Sequence, residues 1–180
     1  MNALIEYNDD AHEYRVNGEV VPSVTQVIKS SGLVDYSHCT EYGRKRGTII
    51  HEVVQLINEG DLDEDSVDPL IRPWISAYRA FLSDCAFRLY RSEMIVHSEL
   101  YGYAGRFDMY GRVNKRRAII DVKTGQIGPD VEWQLGAYMQ AAKECGLRPQ
   151  TAFSLQLRPD GTYRLREHRN GFIAFRQFLK

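Results

Sequence analysis

The chain has 180 residues, a formal net charge of −1, 43% hydrophobic residues and 26% charged residues, an ordinary profile for one globular domain with a substantial core. No apolar run approaches the ~20 residues that a bilayer span requires, and the first residues, Met1 to Glu6, lack the basic-then-apolar order of a secretion signal, so a cytoplasmic protein away from membranes is expected. Cys39, Cys85 and Cys145 are scattered and form no Cys-x-x-Cys, which argues for a reducing compartment and against a disulfide framework, a zinc site or an iron–sulfur cluster.

Leu4 to Val21 reads as a small antiparallel unit around turns at Asn8-Asp9-Asp10 and Asn17-Gly18. Ser23 is the predicted N-cap of a helix running to about Ser31, ended by Gly32. A longer helix is predicted from about Tyr42 to Asn58, stopped by Gly60. The acidic stretch Glu59, Asp61, Asp63, Glu64, Asp65 and Asp68 then reads as a solvated loop. Leu70 to Cys85 is predicted helical, with Pro73 near its start, and Phe87 to Glu99 alternates like a strand. Tyr101 to Val113, turning at Asn114, and the short apolar run Ala118 to Val122 are predicted strands. Val131 to Cys145 reads as a helix ended by Gly146. Thr151 to Leu157 and Thr162 to Arg166 are strands around Pro159-Asp160-Gly161, and Gly171 to Leu179 closes the chain as a helix. This order predicts an α/β fold with a mixed sheet core flanked by helices.

The most informative pattern is Gly105-Arg106-Phe107-Asp108 followed by Asp121-Val122-Lys123-Thr124-Gly125. Alternation puts Asp121 and Lys123 on one face of their strand and Val122 on the other. Pairing of the two strands would bring Asp108 near Asp121. Two carboxylates in a mostly apolar sheet are costly unless paired or metal-bound, and oxygen ligands of this kind suit Mg²⁺ or Mn²⁺. Desolvation beside a metal and the strand is expected to lower the pKa of Lys123. Asp-x-Lys by itself is more often a solvated strand end.

Other candidates keep two readings each. His51, about 60° outside the apolar face of its helix, is either a metal ligand or a residue at the rim of the core. Gln134 and Tyr138 share a helix face opposite Val131, Leu135 and Met139, and serve either a bound phosphate or sugar or an ordinary polar surface. Glu93 is a further metal ligand, a carboxylate supporting the ligands, or an edge-strand charge. Ser23 and Thr25 at a helix start, assisted by Arg44 and Arg46, would suit a terminal 5′-phosphate or be a simple cap. Basic residues also cluster at Lys115-Arg116-Arg117 and from Arg148 to Lys180, where seven Lys and Arg face two Asp and Glu. In a near-neutral chain these clusters favour a polyanionic partner.

Four pieces in order, Pro22-Ser23-Val24-Thr25, Gly47-Thr48-x-x-His51, Gly102 to Asp108, and Asp121 to Gly125 with Gln134-x-x-x-Tyr138, resemble the PD-(D/E)XK nuclease superfamily. The resemblance is to its RecB-like branch, and within it to phage-type and mitochondrial genome-maintenance exonucleases. It implies a restriction-endonuclease-like fold in one domain spanning 1–180, with an N-terminal part to 86, a catalytic core at about 87–157 and a C-terminal strand and helix. Asp108 and Asp121 would ligate one or two Mg²⁺ or Mn²⁺ ions with the Val122 carbonyl and His51. Lys123 would orient or activate the attacking water. Gln134 and Tyr138 would hold the DNA strand, with Arg106 in the same DNA-binding set. Asp121 stands where the family often has glutamate. Members with an iron–sulfur cluster need four cysteines, so that subgroup is not expected. The implied activity is a metal-dependent DNA exonuclease in recombination, replication or repair. A recombinase or single-strand annealing protein as partner, an oligomeric assembly, and a host-cytoplasm setting if phage-encoded are all compatible with it. A structure-specific or single-strand endonuclease of the same fold and a non-catalytic DNA-binding module are the alternatives.

Overall fold

The computed structural model describes residues 4–9, 11–35, 37 and 40–179. Asp10 of the first expected turn and Cys39 lie outside them. The N-terminal strands β1 (Ile5–Asn8), β2 (Glu13–Val16) and β3 (Glu19–Val21) form an antiparallel sheet. Helix α1 (Val24–Ser30) begins at Ser23, whose hydroxyl accepts from the Gln26 amide while the Gln26 side chain accepts from the Ser23 amide, a reciprocal cap. Helix α2 (Glu41–Glu59) stops at Gly60 with φ 78°, as expected of a left-handed helix end. Helix α3 (Arg72–Asp84) has Pro73 in its first turn.

Five strands make the main sheet in the order β4 (Arg88–Ser98), β5 (Tyr103–Val113), β6 (Arg116–Lys123), β7 (Thr151–Leu157) and β8 (Tyr163–His168). The β6–β7 pair is parallel and the other pairs are antiparallel. A parallel pair needs a crossover, and α4 (Pro129–Glu144) supplies it. The predicted closing helix is shorter than expected: α5 spans Gly171–Phe175 and a 3₁₀ turn follows over Arg176–Phe178. Gly171 lies so close to the Glu132 carbonyl of α4 that a Cβ there would collide with it.

The sheet separates two cores. One face carries Ala118, Ile120, Val122, Phe153 and Leu155 against Ile50 and Val54 of α2 and Tyr78 and Phe81 of α3. The other buries Ile119 and Ala152 with Leu135, Tyr138 and Ala141 of α4 and Val24 and Ile28 of α1. Ile50 and Val54 are the buried residues of α2, while Ile49 is 45% exposed. The acidic loop is largely solvated, with Glu64 paired to Arg79 and Val67 anchoring it to the core.

The ladder between β5 and β6 runs only from Met109↔Ile120 to Val113↔Arg116. Beyond it, β5 continues with β4 as far as Ser98↔Tyr103, and β6 continues with β7 through Asp121↔Ser154 to Lys123↔Gln156. The sheet therefore forks, and Asp108 and Asp121 stand where the two prongs part.

At the opposite end of the sheet, Glu167 on β8 accepts hydrogen bonds from Arg116, Arg169 and Thr151, which hold its carboxyl down to about 2. A depressed carboxyl stabilises the fold above its ordinary value of 4.5 and loses that contribution as pH falls through about 2. Glu167→Gln should cost on the order of 1 kcal/mol at neutral pH, as befits a partly exposed cluster. Urea melts of the two proteins should converge as pH falls from 4.5 towards 2.

Candidate metal centre at the sheet fork

Asp108 Oδ2 accepts the backbone N–H of Val122 at 2.5 Å, joining the prongs just beyond the last β5–β6 ladder pair. The other carboxylate oxygen, Oδ1, lies 3.3 Å from His51 Nδ1, delivered by α2. Across the fork, Lys123 Nζ stands 2.5 Å from Asp121 Oδ2 and donates to Gln134 Oε1 on α4 at 3.0 Å. Gln134 Nε2 in turn donates to the Tyr138 hydroxyl at 2.9 Å. The sequence-predicted Asp108, Asp121, Lys123, His51 and Gln134 thus form one contiguous polar cluster.

Its charges are strongly coupled. Burial disfavours ionised Asp108, but the adjoining His51 and Lys123 charges and the Val122 amide outweigh it and hold this carboxyl below its ordinary value. Burial, with repulsion from Asp108, pushes Asp121 up despite Lys123. Two neighbouring carboxyls separated in this way resemble a shared-charge pair. For Lys123, burial is again the largest influence and opposes the charge, yet Asp121 and Asp108 overcome it and raise the pKa. In the metal-free protein desolvation therefore does not depress Lys123, because its carboxylate partners outweigh it and favour the ammonium. His51 follows the same logic, with desolvation overcome by Asp108, and rises to about 9.

The donor chemistry fits a hard divalent cation. Asp121 Oδ2 is buried, and the close partner it has is the Lys123 ammonium, an ion pair at the edge of the fork. Among the described residues, no three His, Cys, Asp or Glu side chains stand together as a finished metal cage. Asp108 and Asp121 are the residues to hold an ion, with His51 and the Val122 carbonyl in reach of the same fork. Glu93, also an expected ligand, is held by Arg106 Nε at 3.1 Å. Burial, aided by repulsion from Asp108, raises its pKa, and its backbone sits at φ 47°, a left-handed conformation uncommon outside glycine.

Several expected DNA contacts are placed differently. Tyr138 is 4% exposed and belongs to the core, so it cannot lie on an open polar face. It fits because Gly105 has no side chain: a Cβ there would come within 2.6 Å of the ring. The Ser23 hydroxyl and amide are occupied by Gln26, and Thr25 Oγ1 lies 3.0 Å from Ser23 Oγ, so these groups serve the cap of a short helix. Arg46 stacks its guanidinium 5.1 Å from the centre of the buried Trp74 ring, and Arg106 stacks on Tyr7 as well as pairing with Glu93. Arg44 is exposed on α2. The sequence reading missed Ser154, wholly buried beside Asp121 in the β6–β7 register, and its 2.9 Å contact with His168 Nε2. Alternation along Thr151 to Leu157 was the one available signal, since it places a serine among apolar neighbours.

No protein-family model matches the chain. No curated protein matches it in sequence. Among solved structures, the chain is similar to an alkaline exonuclease, LHK-Exo, from Laribacter hongkongensis, at 12% identity and a TM-score of 0.45, covering 86% of this chain and 81% of that one. The complex of LHK-Exo with dAMP is similar at 14% identity and a TM-score of 0.46, covering 88% and 86%. At such identities and scores the likeness does not determine an activity. No described helix is long and apolar enough to cross a membrane.

Two outcomes are expected here. Gly105→Ala should destabilise the fold by about 1–3 kcal/mol through overpacking against Tyr138, seen as a lower urea midpoint with an unchanged m-value. In the metal-free protein His51 should titrate near pH 9 by NMR, charged and paired below that value. Asp108→Asn should bring it below its ordinary 6.5, because desolvation then acts with far less opposition.

Proposed function

We propose that the chain is a divalent-metal-dependent nuclease that hydrolyses phosphodiester bonds in DNA, with exonuclease action as the leading form. The observation that carries this reading is the fork itself: two buried carboxylates side by side, with a lysine ammonium paired to one of them and oriented from α4 through Gln134. An Mg²⁺ or Mn²⁺ ion held by Asp108 and Asp121 would polarise the phosphate and acidify a bound water.

The chain's own residues account for the rest. The Lys123 ammonium places a fixed positive charge where charge builds on the phosphoryl oxygens. Held beside Asp121, it orients and polarises the attacking water by donating hydrogen bonds. Gln134 fixes the ammonium, and the buried Tyr138 fixes Gln134, so Tyr138 acts by positioning. Hydrolysis forms a bond from the water oxygen to phosphorus and breaks the bond to the 3′ oxygen, which leaves with a proton. His51, charged in the absence of metal, must release its proton if it is to ligate an ion.

An endonuclease of the same fold is the second reading, and one observation favours it. The Ser23 groups expected to hold a terminal phosphate are occupied within the α1 cap, so this end-sensing device lacks support. The reading places DNA as the partner and the whole described chain in one nuclease domain.

The test is Mg²⁺- or Mn²⁺-dependent degradation of linear 5′-phosphorylated duplex, matched single strand and closed circular DNA. Loss of linear DNA with intact circles is expected. Lys123→Ala and Asp121→Ala should reduce turnover by roughly a thousandfold or more while folding is retained. Cleaved circles would select the endonuclease, and equal activity in Lys123→Ala would overturn the assignment.

A further inference from the structure

The sheet face that carries Asp121 and Lys123 does not end at the fork. In register, Asp121 pairs with Ser154 and Ser154 with Arg166, while Lys123 pairs with Gln156 and Gln156 with Arg164. Register partners project to the same side of a sheet, so Lys123, Gln156 and Arg164 form one row and Asp121, Ser154 and Arg166 the next. The opposite side of β8 is identified independently, because Tyr163 and Leu165 pack against the core beneath α2 and α3. Two interstrand spacings, roughly 10 Å, separate Lys123 from Arg164 along the row.

Both arginines are exposed on the edge strand. Among the described residues neither guanidinium has an ion-pair or hydrogen-bond partner, whereas neighbouring Arg116 and Arg169 are both held by Glu167. The acids on this side are Asp121 itself, paired with Lys123, and two on α4: Glu132, whose carboxylate lies 4.0 Å from His168 Nδ1, and Asp130, which acts electrostatically on Lys123. Gln156 donates its side-chain N–H to the Gly125 carbonyl, so the row between the cations is polar and firmly held.

We infer that Arg164 and Arg166 form a phosphodiester track that receives a single nucleic-acid strand as it leaves the metal fork across Gln156. The inference rests on the nuclease reading of the fork. Arginine suits a phosphate track because each side chain presents a planar, permanently charged fork to phosphate, and the alternation of β8 aims both to the same side. The track reads backbone and not base sequence.

The experiment is fluorescence anisotropy of a labelled single-stranded oligonucleotide, in EDTA, over a salt series. Wild type is compared with Arg164→Gln/Arg166→Gln, Arg164→Lys/Arg166→Lys, Arg88→Gln on the opposite edge of the sheet, and Lys123→Ala. The glutamine pair should weaken binding by about tenfold. It should also make the log–log salt slope shallower by ~1.4, the value for two phosphates on single strands. The lysine pair should restore the slope, and Arg88→Gln should match wild type. In Mg²⁺ the glutamine pair should raise KM with kcat kept within about twofold, as expected for loss of uniform binding. Binding and slope equal to wild type in the glutamine pair would overturn the track, as would a wild type that binds no oligonucleotide. If the glutamine pair loses binding but wild type cuts no DNA with Mg²⁺ or Mn²⁺, the track stands and the nuclease reading fails.

Discussion

The hydrogen bond from the Val122 amide to Asp108 is the contact on which the site depends. Where the β5–β6 ladder stops, the inner edge of β6 presents a backbone donor that has lost its strand partner, and a buried unpaired amide is costly. Asp108 takes that place with a side chain. The same carboxylate thereby becomes fixed beside Asp121 and open on its other oxygen to His51. Satisfying the backbone and assembling the charged cluster are one event, so the fork needs no separate device to hold it at the required width.

Such an arrangement concentrates negative charge where water is scarce. Asp121 is 3% exposed, yet the cations facing the pair are few and specific. His51 arrives from α2 on one side of the sheet and Lys123 from β6 itself, steered by α4 on the other. Burial works against ionising either carboxyl, and His51, Lys123 and the Val122 amide are the groups that offset it. A divalent cation in the fork would add positive charge to the buried carboxylate pair while releasing His51 from its role as a charged partner. The local electrostatics therefore agree with the donor chemistry without relying on any relative.

Much of this was legible because the signals were local. Ser23 marked a helix start through its capping side chain, Gly60 and Gly146 marked helix ends through a left-handed conformation that few other residues take, and the Asp-x-Lys alternation followed from strand geometry alone. What failed depended on distant partners. Helical periodicity grouped Tyr138 with Gln134 as a polar face, but the missing side chain of Gly105, far away in the chain, opens a slot that draws the ring inward. Arg46 and Arg106 read as free cations until Trp74, Tyr7 and Glu93 were placed beside them. The raised Lys123 has the same origin: burial alone would lower it, and only the proximity of both aspartates reverses the sign.

The one parallel pair in the main sheet explains why the functional elements coincide. Joining β6 to β7 in parallel obliges the chain to cross over a face of the sheet, and α4 is that crossing. The crossing covers the face of Asp121 and Lys123, which puts Gln134 within reach of the ammonium and gives Tyr138 its buried seat. It also sets the ends of β6 and β7 side by side, so Lys123 and Gln156 lie in one row. The antiparallel return of β8 then carries that row to the sheet edge at Arg164. An antiparallel β6–β7 hairpin would need no crossing helix and would place the start of β7, not its end, beside Lys123. The lysine of the fork, its orienting helix and the cationic edge are thus three consequences of a single choice of strand direction.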